Sequence, residues 1–132
     1  MKLPKHKQLK VFTLTYDNAT NAITPNIAFL NPEHILKEMY KIIGCSCVTC
    51  TEIEINGKKY DIWSDDEALL VDNPVPNLFI DDDTVIFGNL LIAKSNDEGE
   101  MIGLDNGEPQ LLYAFAQLQY PKLLRWLKKI RR

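Results

Sequence analysis

The hydrophobic positions change their spacing along the chain, and each change predicts an element. Over residues 51–63 two alternating runs flank Asn56-Gly57, the dipeptide that best tolerates the two positive φ angles of a type I′ turn, so a tight hairpin is predicted. That turn pairs Ile55 with Lys58, Glu54 with Lys59, Ile53 with Tyr60 and Glu52 with Asp61. Ile53, Ile55, Tyr60 and Ile62 then share one core face. A Glu54–Lys59 pair on the other face helps hold the register by ~0.2–1 kcal/mol, and Trp63 shares that second face. Ser64, Asp65, Asp66 and Glu67 stop the strand and can cap a helical turn over residues 68–70.

The spacing becomes helical after Asn31-Pro32-Glu33, which reads as an N-cap oxygen, a first-turn proline and an acid at the positive dipole end. Ile35, Leu36, Met39, Ile42 and Ile43 form one face, and Gly44 suits a left-handed C-terminal cap. A helix over residues 32–43 follows. Residues 8–16 and 23–29 read as strands, the second at an edge because of Pro25. Residues 45–55 lead into the hairpin. Two prolines make residues 71–77 a crossing loop, residues 78–80 are extended, and Asp81, Asp82 and Asp83 form a turn. The almost uniformly apolar run at 84–94 predicts a central strand buried on both faces, with Gly88 at a bulge or close approach. A short strand over residues 100–104 and a helix opened by Pro109, bearing Leu111, Leu112, Phe115 and Leu118, complete the body. Pro121 interrupts or kinks that helix, and residues 121–132 form a basic amphipathic one. The fold class is α+β: a small, mainly antiparallel sheet in a domain over residues 1–120, with the tail at 121–132 appended.

At 132 residues, 45% apolar, one domain can bury a core without disulfide or metal staples. No apolar run approaches the ~18 residues of a membrane span, and the first ten residues lack the apolar stretch of a signal peptide. These features predict a cytoplasmic protein. The net charge of −3 hides a segregation: all 18 acidic residues lie between Asp17 and Glu108, with 5 basic residues among them, a formal charge of −13. Such a body repels or imitates nucleic acid while the basic ends attract phosphate.

The order of these elements resembles a family of small proteins of unknown function found in bacteriophages and bacterial mobile elements, especially Gram-positive ones. The matching residues are Gly44, the strand-turn-strand at 52–63, Asp65-Asp66-Glu67 followed by Leu69-Leu70, Pro76-Asn77, the run at 85–92 containing Gly88-Asn89, and Asp97-Glu98-Gly99. The likeness spans roughly residues 30–105. Ala68 stands where that pattern usually has glycine, and residues 111–132 look like an addition. The resemblance implies a phage or mobile-element setting, in which small acidic proteins often disable host machinery.

Cys45, Cys47 and Cys50 have near-metal spacing, but on a regular strand Cys50 faces away from the other two, and His6 and His34 are isolated. Reduced, partly buried thiols are expected, with no metal and no cofactor. No Walker loop, dinucleotide fingerprint or Gly-x-Ser-x-Gly is present, which argues against an enzyme; a metal-dependent hydrolase using the turn carboxylates is the least favoured reading. The preferred one is an interaction protein whose acidic face, Asp65, Asp66, Glu67, Asp81, Asp82 and Asp83, engages a basic surface of a host protein. The alternative is a nucleic-acid accessory protein using Lys122, Arg125, Lys128, Lys129, Arg131 and Arg132, with Trp126 to stack on bases. In the plainest reading Leu123, Leu124, Leu127 and Ile130 dock on the body and the cations meet its acidic surface. Membrane-surface attachment and a homodimer through a sheet edge or the tail also stay open.

Overall fold

The computed structural model describes residues 8–130; Lys2, Lys5, His6, Lys7, Arg131 and Arg132 lie outside that range. The main sheet is antiparallel in the order β2-β1-β7-β4-β3, with β8 also paired to β7. Its strands are β1 (Leu9–Asp17), β2 (Ala22–Leu30), β3 (Val48–Ile55), β4 (Lys58–Asp65), β7 (Leu90–Ser95) and β8 (Met101–Ile102). A second, two-stranded sheet joins β5 (Pro76–Asp81) to β6 (Thr84–Phe87). Two helices, α1 (Ile35–Ile43) and α2 (Glu108–Ile130), make this an α+β fold.

Alternation along the strands divides the apolar side chains between two cores. Val11, Leu30, Leu91 and Ala93 meet Met39 and Ile43 of α1, with Trp63 packed beside them. Phe12, Leu14, Tyr60, Ile62, Leu90 and Ile92 point the other way, onto Leu78 and Ile86 of the small sheet and Leu112 of α2. Because β7 lies between β1 and β4 with both faces covered, it is apolar at four successive positions.

The Asn56-Gly57 hairpin has the predicted register, Ile55 opposite Lys58 through Glu52 opposite Asp61, and positive φ at both turn residues, 53° and 79°. Its ion pair is diagonal instead of direct: Lys59 reaches Glu52 at 3.8 Å, both side chains exposed. Gly44 ends α1 at φ 78°, donating its N–H to Tyr40 O. The start of α1 differs from expectation. Asn31 Oδ1 accepts the Glu33 N–H at 3.0 Å in a local turn, Glu38 reaches back to the Asn31 N–H at 2.6 Å, and the helix begins only at Ile35. The asparagine side chain is consumed before the backbone becomes helical.

The run at 84–94 is not one strand. Gly88, at φ 79°, donates its N–H to Val75 O at 2.8 Å and bends the chain out of the small sheet; Leu90 then enters the main sheet as the start of the central strand. Apolarity on both sides of Gly88 conceals the bend, because each half is buried in its own sheet. Pro76 likewise opens β5 instead of lying in a loop, a position where a missing N–H is tolerated. In α2, Pro121 lies inside one continuous helix. The lost hydrogen bond and clash cost about 3 kcal/mol, offset by burial of Gln119 and Leu123 on either side and by the Gln119 Nε2 bond to Phe79 O at 2.9 Å. No described helix is long and apolar enough to cross a membrane.

Candidate partner-binding surfaces

The acidic turns are built by their own carboxylates. Asp65 Oδ1 accepts the Glu67 N–H and Asp81 Oδ1 accepts the Asp83 N–H, both at 2.9 Å. The first bend leads into a single 3-10 turn, Ala68–Leu70. Since β4 and β6 approach each other here, Asp65, Asp66, Glu67 and Asp83 line one open groove of ≈ 380 Å³, floored by Ile86 and Phe87 and edged by Leu69 and Leu70. Asp81 and Asp82 are exposed and do not line it. The groove therefore unites four of the six acids expected to act together. Its rim carries two exposed leucines, Leu69 and Leu70, 64% and 78% exposed.

Lys122, Arg125, Lys128 and Lys129 are exposed. None of them lies within ion-pair distance of a carboxylate among the described residues, so the expected closure of the tail onto the acidic surface is not what holds it. Of the four apolar residues expected to dock, Leu123 is buried and Leu127 half-buried, while Leu124 and Ile130 face solvent. Trp126 is half-buried and meets Phe87 edge-on, ring centroids 6.1 Å apart. Phe87 also floors the acidic groove, so the cationic helix and the groove are neighbours. Leu118 is 70% exposed and does not join the core.

The cysteines precede and begin β3, and only Cys50 lies on the strand, so alternation does not relate the three. Cys47 and Cys50 are exposed and Cys45 is half-buried, so the expected partial burial holds only for Cys45. Desolvation of the sulfur, with Asp61 and Glu52 nearby, still pushes the Cys50 thiol up to about 11, and desolvation with Asp65 raises Cys45. Both stay protonated near neutrality, the form that is a poor nucleophile. Among the described residues no group of three or more His, Cys, Asp or Glu is placed to hold a metal ion.

Sequence patterns did not reveal a buried polar cluster where α2 meets the sheet. Glu108, 5% exposed, accepts from Tyr60 Oη at 2.6 Å, the Asp105 N–H at 2.6 Å and Lys94 Nζ at 2.8 Å; Lys94 also reaches Asp105 at 3.1 Å. Burial alone would raise the Glu108 carboxyl, but these donors hold it down to about 2. Burial and the same contact raise Tyr60, while the two carboxylates overcome the effect of burial on Lys94 and raise it. The signal was a lone lysine ending an apolar strand, which needs a buried partner. Two asparagines act similarly. Asn77 Nδ2 donates to Leu14 O and Gly88 O at 3.0 and 2.8 Å, while Asn89 accepts from Tyr16 N–H and donates to Ile43 O at 2.7 and 3.1 Å. Pro76-Asn77 and Gly88-Asn89 therefore join the two sheets and α1, and are architectural.

An antiparallel sheet with a hairpin and α2 on one face and a short helix on the other thus defines the class of protein, a small α+β domain. Residues 18–115 match the family described as a domain of unknown function (DUF3846), and the chain belongs to that family. The match begins before residue 30 and reaches into α2, so the first turns of that helix are part of the family domain and not an addition. No curated protein and no solved structure matches the chain.

Proposed function

We propose that the protein works by binding another protein, with the groove of Asp65, Asp66, Glu67 and Asp83 engaging a basic surface. The observation that carries this reading is the exposure of Leu69 and Leu70, which line the groove beside those acids. Two consecutive leucines in water on a charged concavity supply the anchor and the steering charge that a protein interface uses. The resemblance to bacteriophage and mobile-element proteins supports taking the partner from a bacterial host, with inhibition as the outcome.

The test is capture from bacterial lysate by the full chain under a salt gradient, beside two variants: Asp65→Asn with Asp66→Asn, Glu67→Gln and Asp83→Asn, and Leu69→Ser with Leu70→Ser. Capture that weakens with salt and is lost in both variants supports the reading. A partner held equally by all three chains overturns it. A second reading, nucleic-acid contact through Lys122, Arg125, Lys128 and Lys129, draws support from their exposure with no carboxylate partner among the described residues. It predicts a gel shift at low salt that charge-neutral variants at these four positions abolish.

A further inference from the structure

A second concavity, of ≈ 660 Å³, runs between α2 and the β1–β2 hairpin. Leu14, Tyr16, Ile23 and Pro25 form one wall, and Tyr113, Tyr120 and Leu124 of α2 form the other. Among the described residues 16 line it and none of these is charged, in a chain where 25% are; three of the chain's 5 tyrosines are among them. Loss of charge together with enrichment in tyrosine is the composition of an interface core. The apolar surface continues along β2. Ile27 lies opposite Phe12, which faces the α2 side, so Ile23, Pro25, Ile27 and Phe29 share that side; Ile27 and Phe29 are 47% and 43% exposed.

Among the described residues β2 is also an edge strand, paired only with β1. Free edges are ordinarily guarded by charge, proline or a bulge. The opposite edge, β3, carries exposed Glu52 and Glu54, whereas β2 has no charged residue and only Pro25 in its middle.

We infer that a second copy of this chain covers this surface, about a two-fold axis that sets the β2 edge and the α2 tyrosine strip of one copy against those of the other. An uncharged partner covers such a surface without burying an unpaired charge, and a two-fold axis presents the patch to itself. The area fits. Ile27, Phe29, Tyr113, Tyr120 and Leu124 are 42–56% exposed and together leave about 450 Å² in water, over half of the roughly 800 Å² per partner of a stable interface. The β2 edge, Tyr16, Ile23 and Pro25 extend it. Pro25 removes one backbone donor at the middle of the edge, so side chains carry much of the contact. This dimer uses residues distinct from the acidic groove and stands independently of the function proposed for it.

Sedimentation velocity on the full chain between roughly 1 and 200 µM, spanning the affinities of ordinary dimers, tests the inference. A mass rising to that of a dimer is expected, undiminished by added salt. Ile27→Lys and Leu124→Lys should each weaken the dimer at least 100-fold with an unchanged circular dichroism spectrum, while Leu118→Lys, outside the groove, should not. A monomer at every concentration overturns the inference, as does a dimer that Ile27→Lys and Leu124→Lys both leave intact, that Leu118→Lys dissociates equally, or that salt dissolves.

Discussion

Glu108 and the acids of the groove are the same chemistry put to opposite uses. Glu108 is buried against Tyr60, Lys94 and the Asp105 N–H, so its carboxylate fastens α2 to the sheet. Asp66 and Glu67 stand in water beside exposed leucines, where their charge is open to another molecule. The number of acids therefore says little here. Placement relative to the core decides whether a carboxylate builds the domain or addresses a partner.

The largest effect should come from breaking the buried member. Glu108→Ala leaves Lys94 and Tyr60 without their main acceptor and should destabilise the fold by about 3–5 kcal/mol, read from urea unfolding. Acid should sharpen the same contrast. With its folded value held near 2 against an ordinary 4.5, Glu108 contributes fully above about pH 4.5, where the unfolded chain is ionised too. Below that the unfolded state takes up a proton the native state refuses, and stability falls until pH nears 2. The unfolding free energy of Glu108→Gln should accordingly fall less steeply than that of the wild type over this window.

Asn77→Ala tests the joint between the sheets: it leaves Leu14 O and Gly88 O without their side-chain donor and should cost about 1–3 kcal/mol, seen as a lowered Tm. The smallest effect on stability belongs to the groove. Neutralising Asp65, Asp66, Glu67 and Asp83 should shift the unfolding free energy by no more than about 0.5 kcal/mol at each exposed site, slightly more at Asp65 for its turn bond, while abolishing partner capture. A large loss of stability there would erase the distinction between the two kinds of acid.

Local chemistry was legible wherever it alone decides geometry. Asn56-Gly57 dictates its turn by needing two positive φ angles, and the alternation around it assigns Tyr60 and Trp63 to opposite cores. Gly44 was readable for the same reason. What stayed hidden depends on contacts distant in the chain. The bend at Gly88 lies inside an apolar run and is visible only once Val75 and Asn77 approach it. Lys94 at the end of an apolar strand hints at a buried partner, but that the partner is Glu108 emerges only when β4 and β7 bring Tyr60 and Lys94 to it together. The groove was half legible: its acids announce themselves, but that Asp83 joins residues 65–67 while Asp81 and Asp82 do not follows from how β6 approaches β4.

The position of β7 at the centre of the sheet bears on how the chain is made. β1–β2 and β3–β4 are local hairpins, available as soon as residues 9–30 and 48–65 have emerged, yet they meet only through β7, which bonds to both. Synthesis from the N-terminus therefore leaves two unfinished hairpins, each with an open inner edge, until Leu90–Ser95 arrives. Non-local pairing of this kind is slow and prone to association while it waits. A nascent chain arrested before Leu90 should accordingly recruit chaperones, and release of a few more residues should end that dependence, as insertion of one strand seals both edges at once.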